Sequence, residues 1–229
     1  MAEAQKDLLD GNPLVLDSQE KELIRRIGVT VNYPKGQIIF SAEEVADRVY
    51  LIEKGWVRIY RLSSDGREVT VGSIRNPGEM MGLAETLYHG KRTCFAGTIS
   101  DVTLVVVTKK DFLDVLTDEH YLALKVTRLL AARMREAEAM VHELVCWQVP
   151  SRLALLLLKI SERCGIPDEK GRMKIKLRLT HEDIAGMIGT TRQTVTSLLN
   201  AFKREKLVEC QGREIKILDP KKLASWIVD

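Results

Sequence analysis

The stretch Leu179-Thr180-His181-Glu182-Asp183-Ile184-Ala185-Gly186-Met187-Ile188-Gly189-Thr190-Thr191-Arg192-Gln193-Thr194-Val195 decides how this chain is read. Asp183 stands three residues after Thr180, close to a capping box, which opens a helix by satisfying its first free N–H groups. Ile184, Met187 and Ile188 give that helix an apolar face, and Gly189 ends it. Thr190-Thr191 starts a second helix, Arg192 to Arg204, whose Val195, Leu198 and Leu199 pack on the first. A hairpin follows: Leu207 to Cys210, a Gln211-Gly212-Arg213 turn, then Glu214 to Ile217. Two helices joined by a tight Gly turn and followed by a hairpin make a winged helix-turn-helix. The start of the second helix is left polar, with Thr191, Arg192, Gln193, Thr194, Thr196 and Ser197. Arginine donates two bonds to guanine, and glutamine pairs with adenine. Hydroxyls and free N–H groups at a helix start suit phosphates, and Thr180 and Thr190 add to that set. The competing reading is an ordinary helical hairpin with a solvated face.

Working outward, Met173 to Leu179 alternates apolar and basic residues, and Gly165 to Gly171 reads as a loop after an apolar helix, Ser151 to Arg163. Asp219-Pro220 caps a last short helix. Upstream, Glu119 to Cys146 contains no Gly or Pro and reads as one long helix. In it Ala123, Thr127, Leu130, Met134, Ala137, Val141 and Leu144 recur at alternating spacings of four and three, the seam of a coiled-coil dimer. A helix packed on its own sheet is the other reading. Before it come a short helix, Asp111 to Leu116, and a series of short β-rich runs between Val29 and Val107. Turn clusters such as Lys54-Gly55, Ser64-Asp65-Gly66 and Asn76-Pro77-Gly78 separate these runs, among them Glu68 to Ile74, as in a small antiparallel roll or barrel. Ser18 to Ile27 reads as a helix before the first run. The fold class expected is α+β, with divisions at 1–117, 118–146 and 147–229.

The 229 residues are 45% hydrophobic and 29% charged, enough for a real core and unlike a disordered chain. The longest apolar run, Leu153 to Leu158, falls far short of the ~18 residues of a membrane span. The charged start argues against a secretory signal. Four separated cysteines with no C-x-x-C argue for reduced thiols in a cytoplasm, and against a cysteine-rich metal site. His142 and Cys146 share one helical face, but two ligands are too few for a metal or haem site. The motifs Gly-x-Ser-x-Gly, Gly-x4-Gly-Lys-Ser/Thr and His-Glu-x-x-His are absent, so no catalytic residue is assigned and an enzyme is not expected. Charge is unevenly placed. From Trp147 onward there are sixteen Lys and Arg against ten Asp and Glu, whereas residues 1–146 hold nineteen against twenty-two. A basic C-terminal third on a slightly acidic body fits a domain that binds a polyanion.

The 179–195 stretch resembles the helix-turn-helix signature of the CRP/FNR superfamily of bacterial transcription regulators. Residues Pro34 to Val107 are similar to that family's cyclic-nucleotide-binding β-roll, and the long helix to its dimerisation helix. The resemblance therefore implies a sensor β-roll over 1–117, a dimerisation helix over 118–146 and a winged helix-turn-helix over 147–229. It further implies a homodimer on a pseudo-palindromic operator in double-stranded DNA, action through RNA polymerase, and control by a ligand in the roll. By that resemblance, Arg192 takes the position that reads guanine. Gln193 and Ser197 replace an acidic residue and an arginine of cyclic-AMP receptors, so the half-site is expected to be related to theirs but different.

Gly78 to Thr93 resembles the family's phosphate cassette. Arg92-Thr93 keeps the phosphate-binding pair, but Leu83 follows Gly82 where cyclic-AMP receptors carry an acid for the ribose. Glu85 lies two residues further on, after Ala84, and Ala137 and Glu138 replace adenine-contacting hydroxyls. Oxygen-sensing members need an N-terminal cysteine cluster, and CO-sensing haem members a Cys and a His after the cassette glycine; neither is present. The 2-oxoglutarate-responsive nitrogen regulators (NtcA type) are similar in Gly82-Leu83, Arg92, Arg133 and Glu138, and two guanidiniums suit a dicarboxylate. The effector expected is thus a small anion, 2-oxoglutarate or a cyclic nucleotide, held by Gly82, Leu83, Ala84, Glu85, Arg92, Thr93, Arg133 and Glu138. Arg133 and Glu138 also have the spacing of an interhelical ion pair. An effector-independent DNA-binding dimer with an empty roll stands as the alternative, and Cys94, next to Arg92-Thr93, is either a redox switch or a small buried hydrophobe.

Overall fold

The computed structural model describes residues 12–88, 90–169 and 172–227. His89 of the cassette and Gly171 of the expected loop lie outside the described residues. Contacts gather the chain into two compact units. One runs up to Arg61 and from Val71 to Ala137; the other takes Leu62–Thr70 and the chain from Glu138 onward.

The first unit begins with α1 (Ser18–Ile27). Its capping box is made by Asp17, which accepts from the Glu20 N–H at 2.8 Å, while Glu20 accepts from the Asp17 N–H at 2.7 Å. Eight strands follow along the chain, β5 being the one that falls in the second unit: β1 (Val29–Tyr33), β2 (Ile38–Phe40), β3 (Arg48–Lys54), β4 (Val57–Leu62), β5 (Glu68–Thr70), β6 (Met80–Met81), β7 (Phe95–Thr98) and β8 (Val102–Thr108). A short helix, α2 (Leu83–Tyr88), lies between β6 and β7. The strands form two four-stranded sheets, in the orders β1-β8-β3-β6 and β2-β7-β4-β5; the pairs β1–β8, β8–β3, β3–β6, β2–β7 and β7–β4 are antiparallel. Glu68 to Thr70 is the whole of β5, so the strand expected to reach Ile74 is cut short. The backbone at Gly72 has a φ of 83°, outside the strand region, which interrupts the strand; pairing resumes only as a bridge between Arg75 and Val57.

Strands β3 and β8 carry nearly unbroken apolar runs because both of their faces are covered. Val49 and Leu51 pair with Val107 and Val105 and face Ile24, Phe112, Leu122, Val126 and Leu129. Tyr50 and Ile52 point the other way, with Leu104, toward Phe40, Val57, Ile59 and Ala96 of the second sheet.

Two helices follow the roll, α3 (Lys109–Asp118) and α4 (His120–Cys146). Thr108 caps α3 by accepting from the Asp111 N–H, so this helix is a full turn longer than the sequence suggests. Along α4, Leu122, Val126 and Leu129 are buried in the roll's core. Of the expected seam, Met134 and Val141 are each 61% exposed and Leu144 43%. The two readings of this helix therefore describe two different faces of it.

In the second unit come α5 (Val149–Cys164), β9 (Gly165–Pro167), β10 (Met173–Ile175), α6 (His181–Ile188), α7 (Arg192–Arg204), β11 (Val208–Gln211), β12 (Glu214–Ile217) and α8 (Pro220–Ala224). Their core holds Leu153, Leu157, Ile184, Val195, Leu199, Phe202, Ile215 and Leu223. Two expectations are corrected here. The loop expected from Gly165 starts instead with a strand, because Gly165 to Pro167 pairs with β10. The strand expected to run from Met173 to Leu179 stops at Ile175, yet Leu177 and Leu179 keep its alternation by remaining buried. The sheet order is β11-β12-β10-β9, with the wing hairpin at one edge.

Candidate functional site

Helices α6 and α7 are set by local chemistry. Thr180 and Asp183 complete a capping box at α6: Thr180 accepts from the Asp183 N–H at 3.0 Å, and Asp183 accepts from the Thr180 N–H at 2.8 Å. Gly189 closes the helix in the left-handed region, φ 63° and ψ 53°, where a Cβ would also meet the Leu144 side chain at 3.0 Å. Thr191 then caps α7 by accepting from the Thr194 N–H at 3.2 Å. Val195, Leu199 and Phe202 are buried, so the opposite face of α7 must be presented outward.

That outward face bears Arg192, Gln193 and Ser197, all exposed as expected from the sequence. It also bears Asn200, Lys203 and Arg204, which the sequence reading missed. Their signal was present: residues 193, 197, 200 and 204 lie on one helical face, and the reading stopped after the first two turns. Four of the expected hydroxyls are engaged internally. Thr180 serves the cap of α6, and Thr191 and Thr194 that of α7. Thr196 donates to the Arg192 carbonyl at 2.9 Å and stands 2.8 Å from Nδ1 of His181. Thr190 is half-buried, and its N–H donates to the Ala185 carbonyl. Around the wing, part of the basic charge is neutralised within the unit: Glu214 pairs with Lys174 at 2.9 Å and Arg178 at 3.3 Å, and Lys216 pairs with Asp168. Arg213 stays exposed at the wing's turn.

His181 links the two helices. Burial pushes its imidazole below the usual range, and the cations Lys203 and Arg192 on α7 push it further. The folded chain thus binds this proton less readily than the unfolded chain does. Stability from His181 is present above the ordinary imidazole range of ~6.5 and is lost as the pH falls from there through the lowered pKa. Urea unfolding at pH 7.5, 6.5 and 5.5 is expected to show a steeper loss for the parent than for His181→Gln. Parallel pH profiles would refute this.

The roll's cassette is built around Gly82 and Arg92. Gly82 has a φ of 76°, and a Cβ there would lie 2.9 Å from Nη1 of Arg92. The Arg92 side chain is 1% exposed, with its guanidinium 4.5 Å from the Phe40 ring centre. It donates to the backbone carbonyls of Gly82, at 2.8 Å, and Arg48. The Glu85 carboxylate accepts from the Thr93 hydroxyl at 2.8 Å and the Thr93 N–H at 3.3 Å, and lies 3.9 Å from Nη1 of Arg92. Gly82, Glu85, Arg92 and Thr93 are thereby brought together. Leu83 is buried in the core and Ala84 is exposed.

Arg133 departs from expectation. Its guanidinium bonds to Glu79 and, at 3.0 Å, to Glu136, with Ser73 Oγ at 3.2 Å; Glu138 is exposed and is no partner of it. The spacing of Arg133 and Glu138 suggested an ion pair between two helices of a dimer, whereas within the single chain Arg133 is held by Glu79, just before β6. Cys94 is half-buried against the roll's inner core, and its thiol is pushed up chiefly by burial and then by Glu85, the reverse of an activated thiolate. His142 and Cys146 are exposed, and no group of three or more metal-ligand side chains occurs among the described residues. Among those residues, too, no helix is long and apolar enough to cross a membrane.

Two family models match the chain: a cyclic nucleotide-binding domain over residues 30–119 and a Crp-like helix-turn-helix domain over 151–226. A CRP-like cAMP-activated global transcriptional regulator of Mycobacterium tuberculosis is 32% identical over 194 residues, covering 85% of this chain and 86% of that protein. This chain belongs to the CRP/FNR family of transcription regulators. It is also similar to a global nitrogen regulator of Synechococcus elongatus, 32% identical over 190 residues, with 82% of this chain and 85% of that one covered. FixK2 from Bradyrhizobium japonicum shares the fold with a TM-score of 0.79 at 24% identity, over 89% of this chain and 98% of the other. As a CRP/FNR regulator, the chain has a DNA-binding helix-turn-helix and an effector-type β-roll.

Proposed function

We propose that this regulator acts in the cytoplasm as a homodimer on a pseudo-palindromic operator, with α7 of each chain in a major groove. One observation carries the reading: the face of α7 opposite its buried Val195, Leu199 and Phe202 displays Arg192, Gln193, Ser197, Asn200, Lys203 and Arg204 to the outside. Side chains able to read base edges occupy the first turns, and cations able to meet phosphates the last turn. The exposed seam of α4 supports the dimer, since Met134 and Val141 are apolar residues left open on one face. Divisions near 117 and 146 remain the natural assignment of sensor, dimer helix and DNA-binding part.

The test is fluorescence anisotropy on a duplex selected from random DNA, at fixed salt. Arg192→Ala is expected to weaken binding by about 1–3 kcal/mol, with most of the discrimination lost at one base pair per half-site. Equal affinity for the parent and Arg192→Ala would refute the assignment.

For the roll, the reading is a small effector controlling the DNA-binding part. The names of the relatives point to cAMP activation for one and nitrogen control for another, and both fit a ligand in this domain. A second reading, an effector-independent dimer, is favoured by one observation: Arg92 and Arg133, the two guanidiniums a dicarboxylate would need, are each already engaged within the chain.

A further inference from the structure

We infer that Glu85 determines what the cassette accepts, its own carboxylate taking the place of an anionic effector between Arg92 and Thr93. This rests on the reading of the roll as an effector site and says how that site is controlled.

Three donors converge on one carboxylate: the Thr93 N–H, the Thr93 hydroxyl and, at the edge of reach, the Arg92 guanidinium. A backbone N–H, a hydroxyl and a guanidinium are the groups that hold a small oxyanion. Glu85 sits in the first turn of α2, three residues after Gly82. Its main chain is tied to the same loop, as the Gly90 N–H donates to the Glu85 carbonyl at 2.9 Å. Arg92 cannot swing outward at low cost. Its side chain is 1% exposed, lies over Phe40, and donates to the carbonyls of Gly82 and Arg48. An entering anion therefore meets a like charge and must displace it from donors that are already satisfied. Leu83 adds no counter-attraction, being an apolar side chain buried in the core.

The experiment uses the full chain, with inorganic phosphate, acetate and cyclic AMP as separate probes at matched ionic strength. Thermal midpoints and isothermal titration are read for the parent, Glu85→Ala and Glu85→Gln. The parent is expected to show no saturable response. Glu85→Ala is expected to gain one, with an apparent affinity at least ~10-fold above the parent's, because the vacated donors are charge-assisted. Adding Thr93→Val should then weaken that gain. A parent that binds any probe as tightly as Glu85→Ala overturns the inference, and so does a folded Glu85→Ala that binds none. Should Glu85→Ala fail to fold, Glu85→Gln keeps an oxygen near Thr93 without the charge, and the same two results apply to it. Operator binding by the parent is measured in parallel. Its failure would overturn the proposed DNA function while leaving the anion result standing, and the converse result would remove only the role given to Glu85.

Discussion

Val141→Glu is expected to separate the two chains of the proposed dimer and to lower operator affinity by more than ~100-fold, because it would bury two unpaired like charges across the α4 seam. Val141 is 61% exposed in the single chain, so the substitution leaves the fold of each chain intact. In a symmetric parallel pair, the new carboxylate would face its own copy. Removing solvent from an unpaired charge costs several kcal/mol, far more than the methyl contacts it replaces. Analytical ultracentrifugation should show a lighter species at the concentration where the parent is a dimer. Arg135→Glu, an exposed position off the seam, serves as the control for charge alone. If Val141→Glu sediments and binds DNA like the parent, the seam is not where two chains meet.

The second large effect is expected at Phe202. Its side chain is fully buried, and its ring meets Trp226 edge-on with centres 5.1 Å apart. Phe202→Ala removes that contact and opens a cavity beneath α7, at a cost of about 3–5 kcal/mol. A small unit loses most of its stability by that amount. Denaturant titration should show the midpoint falling sharply, and operator binding should be lost with it although no outward residue of α7 has changed. An unchanged midpoint would mean that α7 is held by something other than its buried face.

The parts of this molecule that are local in sequence were legible in it. Thr180 with Asp183, and Asp219-Pro220, mark helix starts, because a cap is made by residues close in sequence. The wing followed from a Gly turn between two apolar runs. The short strand at Gly165 was not legible, because its partner β10 lies beyond an intervening stretch and only pairing makes it a strand. At the sites the same division holds. Arg192 and Gln193 could be set on the outward face of α7 because a helical period fixes that face. Glu79, which holds Arg133, was not found, because 54 residues separate them and no period links the two. Glu85 stood out, but as a stand-in for the acid that holds a ligand's ribose; its bond to Thr93 depends on how the loop from α2 to β7 closes.

The two faces of α4 have a consequence for how the regulator responds to its own abundance. Leu122, Val126 and Leu129 complete the core of a single chain, whereas Met134 and Val141 contribute nothing to it. In the proposed dimer, pairing is then a step separate from completing that core, and at low concentration it limits assembly. In that dilute regime, occupancy of a two-fold operator rises with the square of the copy number, so a modest change in synthesis is sharpened into a larger change in promoter output.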